Sequence, residues 1–112
     1  MTQELTGKVA LVTGGGRGLG EAICHTLGQA GVVTIVADIR EDLAEKVALE
    51  IQSEGGKAAP LRLDVCDEQQ AEAAIQQVTQ EYGGIDFLIN NAGTDVTLSV
   101  EELAISDWDR VL

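Results

Sequence analysis

Five of the eight residues in Thr13–Gly20, TGGGRGLG, are glycine. The segment follows the apolar run KVALV and precedes EAICHTLGQAG. Backbone stripped of side chains between a strand-like run and a helix-like one can approach a ligand closely. A helix that starts there presents unpaired N–H groups and the positive end of its dipole, which suits a phosphate. A tight turn alone would need a single glycine for its positive φ. Without Cβ atoms, Gly14, Gly18 and Gly20 would admit a pyrophosphate to the backbone.

The rest of the chain supplies the frame for such a loop. KVALVT (8–13), VVTIVAD (32–38), APLRLDV (59–65) and IDFLIN (85–90) read as buried strands. Between them, Leu19, Ile23, Leu27 and Ala30 fall at helical spacing, stopped by Gly31. Leu43, Val47 and Ile51, with Ala44 and Ala48, mark a second helix, ended by EGGK (54–57). Ala71, Ala74, Ile75, Val78 and Tyr82 mark a third, ended by Gly83 and Gly84. The order β-α-β-α-β-α-β predicts one α/β domain over residues 1–112, a doubly wound, Rossmann-type parallel sheet in strand order 3-2-1-4. Pro60, near the start of strand 3, fits that strand at an edge, where a missing N–H is tolerated.

Spacing narrows what the glycines hold. A Walker A loop ends in Gly-Lys-Ser/Thr, whereas Gly20 precedes Glu21 and Ala22. The G-x-G-x-x-G dinucleotide fingerprint also fails, because these glycines run G-x-x-x-G-x-G. Asp38 closes strand 2, 18 residues after Gly20. A carboxylate there can accept hydrogen bonds from an adenosine ribose and would repel a 2′-phosphate.

TGGGRGLG, Asp38, LDV (63–65) and NNAG (90–93), with LTGKVALVTGG and SDWDRVL, together resemble the short-chain dehydrogenase/reductase family. The likeness runs in order along nearly the whole chain. It implies that Thr13–Gly20, with Arg17 and Leu19 in it, holds the pyrophosphate, and that Asp38 selects NAD(H). It further implies that Asp64 and Val65 flank the adenine. Asn91, Ala92 and Gly93 would line the cofactor near strand 4, with Asn91 bracing the loop at Thr13. Arg17 and Arg40 are the residues that could favour NADP instead, although Arg40 reads more simply as a solvated surface residue. Another Rossmann-type protein, such as a methyltransferase, is disfavoured by NNAG and by the glycine spacing.

The chemistry of that family is absent from these 112 residues. The resemblance implies a tyrosine acid/base, in Tyr-x-x-x-Lys, with a serine upstream; the lysine would bring the phenol from its usual pKa of about 10 toward operating pH. The one tyrosine, Tyr82, is followed four residues later by Asp86 and reads as core packing. No catalytic residue is therefore assigned. The family's catalytic asparagine would fall beyond WDRVL. Ser106 and Asp109 resemble a helix N-cap, and strand 4 would lack a neighbour, leaving FLI as an edge open to self-association. The expectation is an N-terminal portion of an alcohol/carbonyl oxidoreductase, inert alone; the alternative is a non-catalytic nucleotide-binding or association module.

A net charge of −12 excludes nucleic acid and an anionic membrane surface as partners. Neither a signal peptide nor an apolar run of membrane-spanning length stands out, so a cytoplasmic protein is expected. Cys24 and Cys66 form no metal or redox motif and read as free thiols. His25, the sole histidine, reads as a helix-surface residue, and no metal site is assigned.

Overall fold

The computed structural model describes residues 5–91. Seven elements alternate: β1 (Val9–Thr13), α1 (Gly18–Gln29), β2 (Val33–Asp38), α2 (Glu41–Ser53), β3 (Ala58–Arg62), α3 (Glu68–Tyr82) and β4 (Phe87–Asn90). The strands form one parallel sheet in the order β3-β2-β1-β4. Two crossovers step outward from β1 to β3, and the third returns to the far side of β1. The direction of winding therefore reverses between β1 and β4, and the carboxyl ends there flank a natural crevice.

Side chains alternate across the sheet, so each strand feeds two cores. Val9 and Leu11 of β1, with Ile35 and Ala37 of β2, pack under Ala74 and Val78 of α3. Val12 and Val36 face the other way, onto Cys24 of α1 and Ala44, Val47 and Ile51 of α2. All five residues of β1 are buried, which explains their continuous apolar character. Pro60 lies on β3, opposite Val36, at the margin of the sheet. β3 stops at Arg62, short of the expected 65, because Asp64 opens a turn. Its carbonyl accepts the Asp67 N–H at 3.0 Å, and its carboxylate accepts the Cys66 N–H at 3.0 Å. Asp67 then caps α3, accepting the N–H groups of Gln69 and Gln70.

Three side chains sit differently from their expected places. Leu19, in the first turn of α1, is 69% exposed; the buried residues of that helix are Gly20, Cys24 and Gly28, with Ile23 and Leu27 half-buried beside them. Tyr82 is 39% exposed rather than core. It is the last residue of α3, at the amino end of the sheet beside Val33, Lys57 and Ala58. His25 is a bridge rather than an incidental surface group. Its Nε2 lies 3.0 Å from Glu50 on α2 and 3.8 Å from Glu21, and its Nδ1 lies 3.8 Å from Glu54. The packing of α1 on α2 creates that cluster. Among the described residues, no helix is long and apolar enough to cross a membrane. The expected helix near Ser106 lies outside them.

Candidate functional site

The carboxyl ends of all four strands flank a cleft of about 640 Å³. Gly14, Arg17, Gly18, Asp38, Asp64, Val65 and Asn91 all line it, with Ile39, Leu63 and Cys66 between them. The fold thus gathers residues from the three strand-to-helix connections, and Asn91 just after β4, into one wall. Leu19 and Gly20 do not line the cleft, and Ala92 and Gly93 lie outside the described residues.

The glycine loop divides its labour. Gly14 and Gly18 carry positive φ values of 64° and 60° and turn the chain over the cleft. Gly20 lies beneath, where a Cβ would overlap the Gly14 carbonyl oxygen and stand 2.7 Å from Asn91 Nδ2. Gly20 therefore seats α1 on the loop, a different task from admitting a ligand. Gly16 is the residue that spacing missed. A Cβ there would meet Leu43 Cβ at 2.6 Å and Asp38 Oδ2 at 2.9 Å. No local sequence signal reveals that role, because Asp38 and Leu43 arrive from the second crossover.

Asp38 is held on both oxygens. Oδ2 accepts the Gly16 N–H at 3.0 Å and Oδ1 accepts the Arg40 N–H at 2.9 Å. The residue is 8% exposed, yet it lines the cleft. An ionised carboxylate has about four acceptor positions, so two remain for a ligand. Its position is set by backbone donors, which leaves little side-chain freedom to lose on binding.

β4 is latched to the loop through Thr13. Its hydroxyl donates to Asn90 Oδ1 at 3.0 Å and accepts the Asn91 N–H at 2.9 Å. Asn91 Nδ2 donates to the Gly14 carbonyl at 3.4 Å. The loop is thereby tied to the strand across the crevice. Arg17, the extended residue just before α1, gives that helix no side-chain cap. The first N–H groups of α1 and of α2 receive no side-chain cap, whereas two of those of α3 are taken by Asp67.

Cys24 and the groups around His25 do not line the cleft. Burial and Glu21 push the Cys24 thiol up to about 12. Glu21, His25 and Glu50 place their ligand-type atoms within 4.8 Å of one another. Lys46 adds a contact of 3.6 Å to Glu50, and the group acts as a polar clamp between α1 and α2, away from the cleft.

The sequence profile described as short chain dehydrogenase matches residues 8–112. The chain belongs to the short-chain dehydrogenase family. It is 37% identical over 112 residues to the 2,5-dichloro-2,5-cyclohexadiene-1,4-diol dehydrogenase of Sphingobium indicum, covering 100% of this chain and 45% of that one. Members of this family with solved structures share the fold. A 7α-hydroxysteroid dehydrogenase, solved with NADH and 7-oxo glycochenodeoxycholic acid, superposes with a TM-score of 0.77 at 41% identity, over 80% of this chain and 35% of that one. A metagenomic short-chain oxidoreductase in complex with NADP superposes with a TM-score of 0.78 at 34% identity, over 80% and 41%. The chain spans less than half the length of the curated relatives it matches.

Proposed function

We propose that this chain forms the NAD(H)-binding N-terminal part of an oxidoreductase acting on an alcohol/carbonyl pair. The observation that carries the reading is Asp38, fixed by two backbone N–H groups in the same cleft as Gly14 and Gly18. The uncapped start of α1 would hold the pyrophosphate, and Asp38 would accept hydrogen bonds from the adenosine ribose. Asp64 and Val65 would flank the adenine, and Asn91 would keep the loop against β4. Ala92 and Gly93 are proposed to continue that wall. A 2′-phosphate would meet the Asp38 charge, which favours NAD(H) over NADP(H). The nicotinamide dinucleotide, when bound, supplies the hydride acceptor or donor.

These 112 residues alone would turn over no substrate. They hold one tyrosine, with Asp86 in the place a Tyr-x-x-x-Lys lysine would take. Tyr82 also lies near Val33 and Ala58, the amino-end residues of β2 and β3, across the sheet from the cleft. The two cysteines are unpaired, which supports a reducing, cytoplasmic setting.

Calorimetric titration with NADH tests the reading. Binding that weakens in Asp38→Ala supports it, and a folded chain that takes up neither NADH nor NADPH overturns it. A second reading draws on β4, which pairs only with β1 among the described residues. In that reading β4 recruits a further strand and the chain is a non-catalytic association module. Sedimentation across a concentration series separates the two, since a monomer at every concentration removes self-association.

A further inference from the structure

We infer that Asp42 strengthens the NAD(H) preference of the cleft by holding the Arg40 side chain away from it. The inference rests on the proposed role of Asp38 at the ribose. Arg40 follows Asp38 by two residues, so its guanidinium is the nearest in sequence to a 2′-phosphate placed beside that carboxylate. Its backbone is pinned, because its N–H is given to Asp38 Oδ1 at 2.9 Å. Only the side chain is free to swing. That side chain is forked onto Asp42, with Nε donating to Oδ1 at 3.1 Å and Nη2 donating to Oδ2 at 2.9 Å. The paired Nε and Nη2 donors are the ones a guanidinium would otherwise offer a phosphate, so the two acceptors compete for them. Consistently, Arg17 and Asp38 line the cleft and Arg40 does not.

Asp42 is well placed to keep its hold. It lies in the first turn of α2, where the helix dipole favours its charge. The neighbouring guanidinium holds the Asp42 carboxyl below its usual range, and Asp42 in turn raises Arg40. Both side chains are more than half exposed, so the pair is a modest one. The preference is therefore a bias of a few-fold rather than an absolute block. Asp42 acts as a positioning residue through Arg40 and makes no contact with the cleft itself.

The test is a double-mutant cycle on the full chain, with NADH and NADPH titrated calorimetrically into wild type, Asp42→Asn, Arg40→Ala and the double variant. Asp42→Asn is expected to tighten NADPH about three- to fivefold and to leave NADH within about twofold. Arg40→Ala alone is expected to change NADPH by less than about twofold, and the double variant to lose the gain. Asp42→Ala is a second variant of the same sign, and circular dichroism reports whether α2 is retained. A gain that survives Arg40→Ala, or equal tightening of both cofactors, overturns the inference. So does a wild-type chain in which Arg40→Ala already weakens NADPH, for then Arg40 is not held away. Wild-type chain that binds neither cofactor removes the Asp38 reading and this inference together, whereas NADH binding with an unmoved NADPH ratio removes only the latter.

Discussion

The Gly16 amide donates to Asp38 Oδ2 at 3.0 Å, and a Cβ on Gly16 would lie 2.9 Å from that same oxygen. The loop and the end of β2 are thus packed so closely that the hydrogen bond and the absent side chain are one arrangement. Gly16→Ala is expected to push the loop off Asp38 and off Leu43, whose Cβ would stand 2.6 Å away. Overpacking of this kind costs about 1–3 kcal/mol. Urea denaturation should show that loss, and NADH affinity should fall with it. A variant as stable as wild type and binding NADH equally would show that the loop yields without cost.

Asp38→Asn separates charge from shape. The amide keeps one oxygen for a backbone N–H but brings an NH₂ against the other donor. Hydrogen bonds to a charged acceptor contribute about 1.5–3 kcal/mol, so NADH affinity is expected to fall by roughly 10- to 100-fold. NADPH should lose less, because the repulsive charge goes as well. The comparison of the two losses by titration is the measurement; an equal loss would mean that Asp38 positions the loop without reading the ribose.

Much of this site is legible from local pattern. Four apolar runs separated by amphipathic stretches suffice for the strand order, because parallel crossovers leave few alternatives. Asp38 can be placed because it ends a strand at a fixed distance from the glycines. The task of Gly16 is not legible, since its neighbours Asp38 and Leu43 come from another crossover. His25 shows the same limit: spacing places it on α1, and only the approach of α2 brings Glu50 to 3.0 Å. Tyr82 fits the helical stripe, yet as the last residue of α3 it is left 39% exposed. Periodicity reports the face of an element and is silent on where its neighbour ends.

Thr13 ties β1 to β4 with one hydroxyl that both donates and accepts. Thr13→Val preserves shape and leaves the Asn91 N–H and the Asn90 oxygen without that partner. A part-buried polar group left unpaired costs about 1–3 kcal/mol. The expected result is a lower denaturation midpoint, with faster hydrogen exchange at the Asn91 amide than at the Leu11 amide. Thr13→Ser restores the hydroxyl and should recover most of the loss. If the valine variant matches wild type, the latch contributes nothing measurable.

The two thiols offer a pH-dependent check on the core. Cys24 is buried, with its ionisation pushed up to about 12 by desolvation and by Glu21, while Cys66 is exposed at the edge of the cleft. In the folded chain at pH 8, a thiol reagent should label Cys66 quickly and Cys24 only on unfolding. The sign of the stability effect follows from the raised value. The unfolded chain ionises this thiol near 9 and the folded chain near 12, so the contribution is intact below pH 9 and is lost as pH rises from there toward 12. Cys24→Ala removes that contribution, so its denaturation midpoint should decline less steeply than that of wild type over the same interval. NADH should slow labelling of Cys66, because the thiol shares the cleft wall with Asp64 and Val65. Unchanged labelling with NADH demonstrably bound would place the adenosine elsewhere in the cleft.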